Sequence, residues 1–372
     1  MTTATNPRAA QGSSTRPRAL VVICPTEYGG QIEHAAEIAA AAVRVAGFAR
    51  CVVVTRPGGA AAVAGWQEFL SVEETLQSRR PVSSRGRALR QVIDSQKDRR
   101  AIRAMLERLQ RTHDVTVFYE SSKYGIIRTR RRLRSVAFVH NAMPHASAHM
   151  TVRDRVLFSL ERRMSRHADR VAVHGHRQAE RVARWSATPI INVPLPGDSR
   201  PVPSAAETEA PYALCIGEVR PNKGIEQAIA AARKYDIRLR VMGTPEPAGY
   251  GEILGGLERG AATSIELGYL EAAEFNSTLA RAAVVVLPYT SFAAQSGVLA
   301  KAVQYARQIV ASDLPSLREQ AGSYPHIEFV AVGDPDRLGA EMVSAMERSS
   351  FSAIDTELEG RAWDDVARSL FA

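Results

Sequence analysis

The stretch IGEVRPNKGIEQAIAAA places Arg220 and Lys223 in a short loop between an apolar run ending at Gly217 and an alanine-rich helical pattern that opens after Gly224. Two long cations beside a helix N-terminus make a clamp for an anion. A diphosphate that gains charge as it leaves is the species such a clamp suits; a solvated basic loop is the bland alternative. Further on, VVVLPYTSFAAQSGVLAKAVQYARQIVASDLPSLRE carries Gln295, Ser296 and Gly297 where a loop passes into a helix. Gly29 and Gly30, in PTEYGGQIEHA, occupy a third passage from strand to helix. There they provide either an ordinary tight turn or a close backbone approach to a ligand.

His140 ends the run VAFVH, and an imidazole at a strand C-terminus can donate a hydrogen bond to a substrate hydroxyl or serve as a satisfied structural group. His145 is a weaker substitute. His174 and His176 form HGH without a third ligand at metal spacing, and Cys24, Cys51 and Cys215 lie in apolar runs without CxxC or Cys/His spacing. Neither set reads as a metal site, and the cysteines suit a reduced compartment.

Positioning these groups requires short β-branched runs alternating with helical patterns. The runs are Ala19–Cys24, Cys51–Thr55, Val115–Tyr119, Val136–His140 and Arg170–His174. A helix is expected over Ile32–Ala46, and a long charged surface helix from about Arg90 within Arg79–Arg111. Such alternation predicts βαβ units and parallel sheets, so the fold class is α/β. The segment PLPGDSRPVPSAAETEAP interrupts the pattern and reads as a linker. Alternation restarts at Tyr212–Gly217, Arg238–Gly243, Ile265–Leu270, Val284–Tyr289 and Gln308–Ser312. The expected domains are therefore a tail over 1–18, a Rossmann-like domain over 19–196, a linker over 197–211, a second Rossmann-like domain over 212–350, and a C-terminal helix within 351–372 that crosses back to the first domain. A chain of 372 residues with 45% hydrophobic content is long enough for two cores.

The Gly-x-x-Arg-Pro-x-Lys-Gly pattern at Gly217–Gly224, followed by the Val284–Glu319 stretch in the same order and spacing, resembles family 4 (group 1) glycosyltransferases, in particular a subgroup with SGVL at Ser296–Leu299. The resemblance implies a GT-B fold, in which two Rossmann-like domains face a cleft. It also implies retention of anomeric configuration, a nucleotide diphosphate sugar as donor, and no metal or other cofactor. On this resemblance Arg220, Lys223 and His140 are the catalytic candidates. Gly29, Gly30, Gly217, Gly243, Tyr269, Gln295, Ser296, Gly297 and Val298 are the donor-binding candidates. Many family members carry two acidic residues separated by seven others that contact sugar and ribose, and here those places hold Ala293 and Lys301. That departure motivates an alternative, a catalytically silent nucleotide-sugar-binding protein.

The formal net charge is +9 at pH 7. Clusters at Arg99–Arg111 and Arg128–Arg134 contribute much of it and read equally as an anionic-lipid surface or a solvated face. Nucleic acid is not favoured, because no aromatic-interleaved platform accompanies the charge. No run reaches the about 18 apolar residues of a membrane span, and the N-terminal stretch lacks a signal-peptide core. The expected location is cytoplasmic or peripheral at the inner membrane face. The expected acceptor is a carbohydrate, a lipid-linked sugar or a small molecule.

Overall fold

The β-branched runs form strands because a parallel sheet covered by helices on both faces buries every residue along the strand. The computed structural model describes residues 16–77, 87–142, 152–199, 210–247, 249–257, 262–305, 307–349 and 362–372. Nearly all of the expected tail, most of the linker, His145 and the first part of the C-terminal segment lie outside the described residues.

The chain divides into two compact units, Met1–Ala137 with Phe371–Ala372, and Phe138–Leu370. The first contains β1 (Arg18–Ile23), α1 (Gly30–Val45), β2 (Arg50–Val54), α2 (Gly59–Ala62), β3 (Ser71–Glu73), α3 (Arg87–Leu109), β4 (Asp114–Tyr119) and most of β5 (Arg134–Val139). Leu20, Val21, Val22 and Ile23 are all fully buried, although neighbours along a strand point to opposite faces. Helix α1 buries Ala39, Ala40, Ala41 and Ala42 in succession. Phe371 meets Phe48 edge-on at 5.2 Å between ring centroids, and its carbonyl accepts from Arg18 Nη2 at 3.3 Å.

The second unit runs through α4 (Val152–His167), β6 (Arg170–His174), α5 (His176–Ala183) and β7 (Ile190–Val193). It continues with β8 (Ala213–Ile216), α6 (Ile225–Lys234), β9 (Leu239–Gly243), α7 (Tyr250–Leu257), β10 (Thr263–Leu267), α8 (Ala272–Arg281) and β11 (Val284–Leu287). Helix α9 (Gly297–Gln304), β12 (Gln308–Ser312), α10 (Pro315–Ala321), β13 (Ile327–Val330), α11 (Pro335–Arg348) and α12 (Trp363–Phe371) complete it. Its core has two layers. Ala213, Cys215, Val284 and Val286 pack with α6 and α11 residues on one face of the sheet, while Leu214, Ile216, Val285 and Leu287 pack with α8 and α9 residues on the other. Alternate residues thus feed opposite layers, which explains why the strands read as unbroken apolar runs.

The strand orders are β3-β2-β1-β4-β5-β6-β7 and β10-β9-β8-β11-β12-β13. Pairings such as β1 with β4 and β8 with β11 are parallel. Each order reverses beside its first strand, between β1 and β4 and between β8 and β11. The C-terminal ends of those strands are where doubly wound sheets hold ligands. The compact units part inside β5, ahead of the linker expected from composition. The segment after β7 is tied to the later half, with Leu195 N donating to Gln295 Oε1 at 3.1 Å and Asp198 N to Gln304 Oε1 at 2.6 Å.

Candidate active site at the second switch point

Strand β8 is followed directly by Gly217, whose φ of +112° only glycine adopts readily. A Cβ on Gly243, at the end of β9, would lie 1.8 Å from the Gly217 carbonyl oxygen, so these strand ends approach too closely for any side chain there. A Cβ built on Gly217 would stand 3.3 Å from Val298 Cγ2, which brings the end of β8 against the start of α9. The loop then extends through Arg220, makes one tight turn over Pro221–Lys223 and enters α6 through Gly224 at φ 64°. A side chain at Gly224 would strike the Pro288 carbonyl. Thr290 N donates to Asn222 O at 3.0 Å and Asn222 Nδ2 to Ser291 O at 3.1 Å, fastening the loop after β8 to the loop after β11.

The two cations occupy different surroundings. Lys223 Nζ lies 3.8 Å from the Tyr289 ring centroid and 4.4 Å from that of Phe292, so two aromatic faces fix its position. Arg220 Nη2 reaches Glu218 Oε1 at 3.1 Å, while its Nε is buried with no hydrogen-bond partner among the described residues. A buried guanidinium N–H without an acceptor is a donor suited to an anion.

Helix α9 starts where the sequence pattern places it. Ser296 is its N-cap, with Oγ accepting from Leu299 N at 3.3 Å and lying 3.2 Å from the Tyr289 hydroxyl. Gln320 holds the Ser296 backbone from both sides, accepting from its N–H at 2.6 Å and donating to its carbonyl at 2.8 Å. Helical geometry gives the N–H groups of Gly297 and Val298 no intrahelical acceptor. Nothing lies within 4 Å of a Cβ built on Gly297, so the space before the helix is open. Gln295 behaves differently from its neighbours: its Oε1 accepts from Leu195 N, which turns the side chain to a structural contact.

Ala293 and Lys301 both have partners within the second unit. The Ala293 carbonyl accepts from Gln178 Nε2. Lys301 Nζ lies 3.4 Å from Asp198 Oδ2 and donates to Asn276 Oδ1 at 3.1 Å, with the Asp198 side chain only 2% exposed. Tyr269 falls beyond the end of β10, not within a strand, and is 48% exposed.

His140 follows β5, with its ring centroid 4.7 Å from that of Phe138. Burial raises the Glu161 carboxyl to about 7, and the charge of His140 opposes that rise. His174 is buried against Phe138 and the Val193 carbonyl, whereas the backbone N–H of His176 donates to the Glu319 carboxylate. The HGH triplet is therefore split between the core and the start of α5. All three cysteines are buried, and burial pushes the Cys24 and Cys215 thiols up to about 12.

The remaining two candidates, Gly29 and Gly30, belong to the first unit. Gly29 has φ +83° and accepts from Ile32 and Glu33 at the start of α1, with open space at both glycines. Sequence reasoning missed a buried pair in the same unit, His34 Nδ1 and Glu120 Oε1, 2.8 Å apart with the carboxylate fully buried. The available signal was an acidic residue directly after a strand, at the reversal point of the sheet.

Residues 210–348 match the family model described as "Glycosyl transferases group 1". No curated protein sequence matches the chain significantly. Among solved structures, a sucrose-phosphate synthase from Thermosynechococcus elongatus is 14% identical, with 95% of each chain covered and a TM-score of 0.67. Alr3699/HepE from Anabaena, solved with UDP-glucose, is 16% identical over 95% of each chain at a TM-score of 0.61. WaaG, described as a glycosyltransferase involved in lipopolysaccharide biosynthesis, is 15% identical over 95% of each chain at 0.58. The shared architecture is the GT-B fold.

Proposed function

We propose that this GT-B chain, whose residues 210–348 carry the group 1 glycosyltransferase match, transfers a glycosyl group from a nucleoside diphosphate sugar to a hydroxyl acceptor. The observation that carries the reading is the convergence of the Arg220–Lys223 loop and the start of α9 at the β8/β11 switch point. Arg220, Lys223 and the N–H groups of Gly297 and Val298 stabilise charge on the departing diphosphate. The bond from the anomeric carbon to the diphosphate oxygen breaks as the acceptor oxygen bonds to that carbon from the same face, retaining configuration. The acceptor proton passes to a diphosphate oxygen, so neither a carboxylate base nor a metal is required. His140 serves the sugar end of the donor.

The silent-binding alternative is not favoured. Ala293 and Lys301, the departures that motivate it, have partners of their own in Gln178 Nε2 and Asp198 Oδ2. For the acceptor, we propose a membrane-associated molecule reached from the inner face of a membrane. The support is the exposure of Arg128, Arg130, Arg131 and Arg132, together with the finding that no helix among the described residues is long and apolar enough to cross a membrane.

A thermal-shift panel of UDP, GDP, ADP and dTDP with their common sugar conjugates tests the reading, since selective binding raises the melting temperature by mass action. Release of nucleoside diphosphate from the stabilising conjugate is then expected. Stabilisation by none of them would remove the donor site.

A further inference from the structure

We infer that Gln178 is a positioning residue that sets the loop bearing His140 against the loop leading into α9, an inference that rests on the donor-site reading above. Gln178 is 3% exposed, and both ends of its amide are in use. Its Oε1 accepts from Ala142 N at 2.6 Å, two residues past His140, and its Nε2 donates to the Ala293 carbonyl, three residues before the N-cap Ser296. One planar side chain thus spans two segments that are 151 residues apart in the sequence and meet only through folding.

The surroundings leave this amide little freedom. Gly175 precedes α5 at φ +91°, and a Cβ there would come 2.9 Å from Gln295 Nε2 and 3.0 Å from Glu319 Oε1. The Glu319 carboxylate accepts from His176 N at the first turn of α5. One turn beyond Gln178, Val182 packs in a cluster with Val139 and Ala142. The helix is therefore anchored at its start by α10 and along its length by the end of β5. Gln178 stands between those anchors with its donor and acceptor fixed.

Glycosyl transfer needs the sugar-end group and the diphosphate clamp in one geometry, and a displacement of about 1 Å costs on the order of a hundredfold in rate. Leucine at 178 would leave the Ala142 N–H and the Ala293 carbonyl unpaired. Glutamate keeps the acceptor for Ala142, but when ionised it places a carboxylate against the Ala293 carbonyl. Burial favours the neutral carboxyl, whose O–H can then donate as the amide did.

The test uses the full chain and whichever of UDP, GDP, ADP or dTDP stabilises the wild type, with release of that nucleoside diphosphate from its sugar conjugate as the rate. At about pH 8, Gln178→Leu and Gln178→Glu are expected to lose about a hundredfold in kcat, with nucleoside diphosphate Kd within about twofold of wild type. Relative to wild type, Gln178→Glu is expected to recover towards about pH 6, and Gln178→Leu is not. Near-native turnover in folded Gln178→Leu, or parallel loss of affinity and turnover, overturns the inference while the donor site stands. Should the leucine variant fail to fold, the glutamate profile decides alone, and absence of recovery overturns it. A wild type that binds none of the four nucleotides overturns the donor reading and this inference with it.

Discussion

Replacing Lys223 by alanine removes a charge that two aromatic faces hold beside the strand ends. The Nζ stands 3.8 Å and 4.4 Å from the centroids of Tyr289 and Phe292, so its position is set before any ligand arrives. Loss of one preorganised donor to a developing anion costs about 3 kcal/mol, which at about 1.36 kcal/mol per decade is roughly two decades in kcat. The fold loses far less. Two cation–π contacts at a half-buried site contribute about 1 kcal/mol each, and at about 2–4 °C per kcal/mol the melting temperature falls by no more than roughly 8 °C. The assay is release of nucleoside diphosphate from the stabilising sugar conjugate at saturating donor, alongside thermal unfolding. Lys223→Arg retains charge and stacking but not the point-like ammonium, and is expected to fall between wild type and alanine. Near-native turnover in Lys223→Ala would refute the clamp. Loss of activity matched by loss of folded protein would refute the separation of site from scaffold.

Gly297→Val fills the open space before α9 and is expected to weaken nucleoside diphosphate binding, read by calorimetry, with little change in melting temperature. His140→Ala is expected to depress turnover while leaving affinity for the free nucleoside diphosphate nearly constant; equal loss of both would assign it a structural role. Glu161 carries a carboxyl raised to about 7 by burial, so the native state holds its proton more tightly than the unfolded chain. Stability from that group is fully present below the unfolded value and is lost as pH rises through about 7. Glu161→Gln should flatten the decline in melting temperature across that window, and an unchanged profile would count against the buried carboxyl. Co-sedimentation with anionic vesicles at low salt is expected for the wild type, released by high salt and lost on replacing Arg130, Arg131 and Arg132 by Ala. No binding at low salt would remove the membrane-surface proposal.

What the sequence revealed follows from where each residue is buried. Central strands such as β1 and β11 were legible as unbroken apolar runs because both of their faces are covered. The strands missed, β3, β7 and β13, are SVE, IINV and IEFV at sheet edges, where partial exposure permits polar residues and erases the run. β10 was displaced towards Tyr269 for the same reason. Arg220, Lys223, Ser296 and Gly297 were readable because each sits in a local strand-to-helix passage with its own chemistry. Gln178, Glu319 and Asp198 were not. Their partners lie 115, 143 and 106 positions away, for Ala293, His176 and Gln304 respectively, and no local pattern encodes such pairings.

The Lys301–Asp198 contact also constrains what mutation can reach. A carboxylate at 301 would be set against the 2% exposed Asp198 side chain. Changing Asp198 first would leave the ammonium with Asn276 Oδ1 but without its carboxylate, and breaking a buried pair from either side costs about 3–5 kcal/mol. Each single step therefore passes through a weakened protein, and only a paired exchange avoids it. The lysine is entrenched: an acid at that position is not reached by one-step change without loss of stability, and selection for a new specificity would be channelled to other residues around the strand ends.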